Sequence, residues 1–182
     1  SPMWKHWKRY CLLGLLGVGC YNALQYLALG TSTPLNVTLV GASTPVFMLF
    51  IGAMFFGVPA RREQIIGAVL SIVGVVLVLC RGSLEQLFAL RLVVGDLYMV
   101  LAVISWSLYS WLLVRTREPE AIRNDWAMFL IAQMLFGLGW SGAFAGIEWS
   151  IGQDEILWSW KLAAAMAFIV IGPAIMAYRC WG

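Results

Sequence analysis

Four polar side chains crowd one short apolar run: Tyr21, Asn22, Gln25 and Tyr26. On a helix Asn22 and Gln25 stand three residues apart, and Asn22 and Tyr26 four apart, so they share a face. An amide surrounded by hydrocarbon needs a partner, either on a neighbouring helix or in a wet cavity. The stripe therefore suits two tasks, hydrogen bonding to a solute at mid-depth or gluing helices together. A second group is Ser105, Trp106, Ser107 and Tyr109. Trp106 lies too deep in its apolar run for an interfacial belt, and its indole N–H needs an acceptor there. With Tyr109 three residues on, it would give a ligand an apolar wall with polar handles. Gln133 is a lone amide and a weaker candidate of the same kind.

Two prolines suggest movement. Asn36, Thr38, Ser43 and Thr44 lead to Pro45 near the middle of a long apolar run, and Gly172-Pro173 repeats the device later in the chain. Proline removes a backbone donor and frees the carbonyl four residues back, here that of Gly41. Freed backbone at membrane depth is tolerated only beside protein or cavity water. Interrupted helices in two halves of a chain mark the binding region of many transporters. Tyr21, Asn22, Gln25, Tyr26, Trp106 and Tyr109 are thus the candidate wall of a solute cavity, with Pro45 and Pro173 as helix breaks.

Other chemistries find no residues to carry them. No Asp, Glu, Lys, Arg or His stands at the centre of an apolar run, where proton relays and ion sites need them. The one histidine, His6, is near the start. No Ser/His/Asp set, carboxylate pair or metal cluster assembles at one depth, which argues against an enzyme, a metal or a cofactor. Cys11, Cys20, Cys80 and Cys180 include no C-x-x-C pair and read as small apolar residues. The net charge of +3 comes from twelve scattered Lys and Arg, not a basic face for nucleic acid. Asp96, beside Gly95, reads as a helix N-cap.

The elements that must position these residues follow from composition. The chain is 62% hydrophobic and only 12% charged, against roughly half and a quarter in soluble domains, so lipid must be its solvent. A spanning helix takes about 20 apolar residues. Six runs qualify: Tyr10–Gly30, Pro34–Gly57, Gln64–Cys80, Gly95–Val114, Trp126–Ile147 and Leu162–Trp181. None alternates as barrel strands do, so the expected fold is all-α, a polytopic transmembrane helix bundle. Lys5, Lys8, Arg9, Arg61, Arg62, Arg115, Arg117, Arg123 and Arg179 gather on one side of six crossings, and Arg81, Arg91 and Lys161 on the other. The positive-inside rule then puts residues 1 and 182 in the cytoplasm. Trp4, Trp7, Trp126, Trp149, Trp158, Trp160 and Trp181 stand near span ends, where indole rings favour the headgroups, while Trp140, like Trp106, is deep. The segment from Gly82 to Val94 is part apolar and suits the membrane surface. Gly142 with Gly146, and Gly67 with Ser71 and Gly74, predict close helix packing on spans five and three.

Several of these stretches together resemble a known family. Gly14-Leu15-Leu16-Gly17 with Tyr21-Asn22-Ala23-Leu24 and Tyr26-Leu27-Ala28-Leu29 looks like its third helix, and Asn36 through Pro45-Val46-Phe47 like its fourth. Arg62-Glu63-Gln64-Ile65-Ile66-Gly67 with Gly74-Val75 looks like the fifth. Gly95-Asp96-Leu97, then Ser105-Trp106-Ser107-Leu108-Tyr109 and Arg115, look like the sixth, and Gly172-Pro173 with Ala177-Tyr178 and Trp181 like the eighth. The family is the EamA-type drug/metabolite transporters, ten-helix carriers built from two inverted five-helix repeats. The resemblance implies a fragment of helices three to eight, with residues 1–90 closing the first repeat and 91–182 opening the second. Val58 stands where the family usually has Glu, and Ala174 where Ser is common. Spans one and six would be symmetry mates, Pro45 and Pro173 would not.

The function expected is a secondary-active transporter, an exporter, moving a small organic metabolite or drug-like solute by alternating access. Its partners would be that solute, the lipid bilayer and, in a homodimer, a second copy; its place would be a bacterial inner membrane. The competing expectation is a non-transporting membrane scaffold or assembly protein whose polar residues only join helices.

Overall fold

The structure, a computed structural model, describes residues 7–79, 93–115, 126–152 and 158–176. The described residues form helices and short connections, without a strand. Helix α1 runs Trp7–Thr31, α2 Pro34–Ala42, α3 Thr44–Phe56, α4 Arg62–Leu79, α5 Val94–Arg115, α6 Trp126–Ile151 and α7 Trp160–Ile169, the last continuing as a π-helical stretch Val170–Met176. As far as the described residues reach, a helix falls in each of the six predicted runs. Two of them, α1 and α5, are long and apolar enough to cross a membrane, and α2 with α3 makes a third if the bent pair is one span. The expectations placed on Trp4, Lys5, Cys80, Arg81, Arg91, Arg117, Arg123, Cys180, Arg179, Trp181, the segment 82–92 and a repeat boundary near residue 90 lie outside the described residues.

Local chemistry sets the helix ends. Thr33 caps α2, its hydroxyl accepting from the Asn36 N–H at 3.2 Å, and Pro34 takes a first-turn position where a missing N–H is harmless. Helix α3 ends at Gly57, whose φ of 64° is left-handed, a conformation glycine adopts freely. Gln64 reaches back from α4 to accept from the Arg61 N–H at 2.9 Å, and Ser159 caps α7 by accepting from Leu162 N–H at 3.2 Å.

Helix α5 is the axle. It packs against α1, α2 and α3, and Met99, Ala102 and Val103 form the core with Ala28 and Val37. Helix α6 lies along the first half of α1, where Tyr10 and Ala132 are fully buried against Phe136. Helix α4 is peripheral: Ala68 is buried, while Ile66, Val69, Leu70 and Leu77 are exposed. Such continuous apolar exposure is ruinous in water and neutral in lipid.

The close approaches fall elsewhere than the sequence predicts. Gly67, Gly74, Gly142 and Gly146 have no neighbour within 4 Å of a Cβ position among the described residues. The tight contacts are instead Gly14 against the Gly137 backbone and Gly95 against the end of α1. A Cβ on Gly95 would stand 2.7 Å from the Ala28 carbonyl oxygen. Gly95→Val should therefore cost about 1–3 kcal/mol through overpacking and lower the melting temperature of the detergent-solubilised protein. Gly142→Ala, with open space around it, should leave that temperature unchanged or raised. Equal effects from both would contradict the packing described.

Candidate functional site

Helix α1 is not regular through its centre. Residues Leu15–Cys20 form a π-helical turn, a device that often sits at functional positions. The run Gly14-x-x-Gly17-x-Gly19 permits it, because α5 and α6 press directly on the backbone there. A Cβ at Gly17 would lie 2.7 Å from the Tyr109 ring, and one at Gly19 3.0 Å from Trp140. Side chains bond to carbonyls of the widened turn. The Ser105 hydroxyl donates to the Leu16 carbonyl at 2.9 Å, and the Asn22 amide donates to the Val18 carbonyl at 2.8 Å.

From this turn a string of rings descends between α1, α5 and α6. Tyr21 and Trp106 have ring centroids 4.9 Å apart, and Trp106 and Tyr109 5.2 Å. Tyr109 is buried and its hydroxyl donates to Gln133 Oε1 at 2.7 Å. Gln133 is only 2% exposed, and its Nε2 finds no partner among the described residues. Gln133 thus belongs with Trp106 and Tyr109. Its sequence signal was weak because it is the only amide on its helix and no polar residue stands one turn away on either side.

Of the predicted wall residues, Tyr21, Trp106 and Tyr109 meet in this string. Asn22 is turned to its own helix's carbonyl, and Gln25 is half-buried. Tyr26 is 67% exposed on the outside of the described bundle, so it does not join the others.

The break at Pro45 is present with a shift. The axis turns by 41° between α2 and α3, and the irregular residue is Ser43, because proline disturbs the turn before it while sitting comfortably in the first turn of α3. The Gly41 carbonyl, expected to be free, accepts from the Thr44 hydroxyl. At the second break, Gly172 and Pro173 fall inside the π-helical stretch Val170–Met176, so the helix there widens and continues.

Below the bend, Pro45, Met48, Leu49, Gln64, Ser110, Trp111 and Val114 line an open cleft of about 450 Å³ between α3, α4 and α5. Of the predicted site residues only Pro45 borders it. Trp111, which sequence reasoning passes over, anchors its wall: the indole N–H donates to the Met48 carbonyl at 2.8 Å. The Trp111 ring stacks on Phe56 at 5.4 Å, and the Arg115 guanidinium lies over the same Phe56 ring and donates to its carbonyl. Trp140, the other deep indole, donates to the Cys11 carbonyl at 3.1 Å.

The opposite end of the bundle is tied shut. Asp96 is 4% exposed; it accepts from the Ser32 hydroxyl, from Asn36 Nδ2 at 3.1 Å and from the Val93 N–H at 2.9 Å. Asp96 is therefore not the N-cap itself. It stands three residues inside, reaching back to the cap residue while joining the ends of α1 and α2 to α5. A buried carboxylate is tolerable only with such donors.

Residues 1–80 match the model of the EamA-like transporter family. This part of the chain is EamA-like. The match takes in α1 to α4, hence the π-helical turn, Asn22 and the bend before Pro45. No curated relative and no solved structure matches the chain. The EamA-like match over residues 1–80 and the helices apolar enough to cross a membrane together point to a membrane protein of transporter type.

The Tyr109–Gln133 bond makes a separable prediction. Tyr109→Phe leaves a buried amide oxygen unmet and should cost about 1–3 kcal/mol. Adding Gln133→Leu removes the stranded partner, so the double variant should melt above Tyr109→Phe alone. Strict additivity of the two substitutions would mean that the bond contributes nothing.

Proposed function

We propose that the protein is a secondary-active transporter that exports a small organic metabolite or drug-like solute by alternating access. In this reading the six helical runs all cross a bacterial inner membrane, residues 1 and 182 face the cytoplasm, and two three-helix groups from inverted repeats meet near residue 90. The observation that carries it is the pairing of an EamA-like segment with helices broken at mid-depth, namely the π-helical turn of α1 and the 41° bend before Pro45. Regular helices satisfy their backbones at least effort in lipid, so interruptions of this kind belong where a protein has to flex or bind.

The two ends of the bundle support a conformational assignment. By the charge rule the Asp96 tie lies at the outer end and the Pro45–Trp111 cleft at the cytoplasmic end. The conformation is then open inward, with Ser32 and Asn36 released from Asp96 in the outward state. The solute would meet the aromatic string from Tyr21 to Tyr109, whose faces favour apolar or aromatic bodies.

A scaffold reading draws on one fact: the bonds of Asn22, Ser105, Trp111 and Trp140 go to backbone carbonyls, which glue would also explain. Transport decides between them. Reconstituted in vesicles, the wild-type protein should move a solute, and joint Asn22→Leu and Gln25→Leu should slow it tenfold or more. Single cysteines at Asn22 and Trp106 should react with water-soluble thiol reagents, and cysteines at Arg61 and Arg115 should label from the same face. A wild-type rate in the double variant, with both interior cysteines protected, defeats the proposal.

A further inference from the structure

We infer that the Tyr109–Gln133 pair is a ligand site, at which Gln133 Nε2 donates to an acceptor oxygen, a carbonyl or carboxylate, on a solute with an aromatic or apolar body. The inference rests on the transporter reading and extends it by naming the polar group that is recognised.

Three observations converge on it. Gln133 is 2% exposed and its Nε2 has no partner among the described residues, whereas native proteins pair nearly all buried polar atoms. Turning the amide over does not help, because Tyr109 has one hydroxyl and would then serve the nitrogen while stranding the oxygen. As it stands, the Tyr109 hydroxyl donates to Oε1 at 2.7 Å and so fixes the amide with its donors turned away.

The surroundings define what could take those donors. Above lies the ring string of Tyr109, Trp106 and Tyr21, which offers π-faces to a planar or apolar body. On the other side Tyr10 is buried against Phe136 and Ala132, the residue before Gln133. An N–H donor calls for an acceptor oxygen on the incoming group and has nothing to offer an ammonium. The wall opposite is the π-helical turn of α1, where Gly17 lets Tyr109 rest on bare backbone. A turn already widened can relax at small effort, which supplies a way for a buried site to open.

The test reads binding and access separately from transport. Phenylacetate, phenylacetamide and phenethylamine share one ring and differ in the polar end. Phenylacetate or phenylacetamide should raise the melting midpoint of the detergent-solubilised full chain, and phenethylamine should not. Gln133→Met should abolish the shift; where that variant does not fold, Gln133→Asn, which shortens the amide, should weaken half-saturation at least fivefold. In a background with the native cysteines replaced by serine, Gln133→Cys should react with methanethiosulfonate ethylammonium in membranes at least tenfold faster than Ala132→Cys. No shift in the wild type with either oxygen-bearing probe, an undiminished shift in the variants, or a Gln133→Cys as protected as its neighbour overturns the inference. Ligand shifts without vesicle transport would sink the transporter reading alone, and transport with an inert Gln133 would sink this inference alone.

Discussion

Hydrocarbon offers no hydrogen bonds, so each backbone group released by a broken helix has to be met by a side chain. That constraint organises most of the polar residues on these helices. Ser105 and Asn22 serve carbonyls of the π-helical turn. Ser43 and Thr44 serve Val40 and Gly41 at the bend. Trp111 and Trp140 reach across to Met48 and Cys11. A polar residue deep in a span is thus first a tenant of the backbone, and the ones that stand out are those left with spare capacity. Among the described residues, Gln133 is such a case.

The same constraint explains what the sequence could disclose. Run length and apolarity are local, so the helices could be read from it directly, as could a disturbance near Pro45. The 3.6-residue repeat on α5 also announced that Trp106 and Tyr109 would keep company. The π-helical turn was not legible, because Gly14, Gly17 and Gly19 allow a widened turn without requiring one; the ring of Tyr109 and the bulk of Trp140 pressing from other helices complete the cause. Nor could spacing say which glycines would be pressed. Gly142-x-x-x-Gly146 has the pattern of a contact and open space around it, while the isolated Gly95 is the one wedged against α1.

Tyr26 and Trp111 show the same limit from the side of function. Tyr26 shares a nominal face with Asn22, yet the π-helical turn and the packing of α5 rotate the contact surface toward Tyr21 and Leu24, leaving Tyr26 outside. Trp111 lies near the basic end of α5, where an indole is expected at the membrane interface. Gly52 on α3 leaves room for its ring to turn inward, and Phe56 and Arg115 then stack beside it.

Helix α5 thereby does two different things along its length. Its first turn is held by Gly95 and Asp96, whose contacts to α1 and α2 tolerate little displacement. Its last turns divide their faces, Tyr109 toward Gln133 on α6 and Ser110, Trp111 and Val114 toward the cleft beside α3 and α4. A rod pinned at one end and shared at the other transmits a change on one face to the other. Occupation of the Tyr109–Gln133 side would bear on the same turn that walls the cleft. The bend before Pro45 and the π-helical turn of α1 lie directly across from that stretch, so the compliant backbone stands where the shared end of α5 would push.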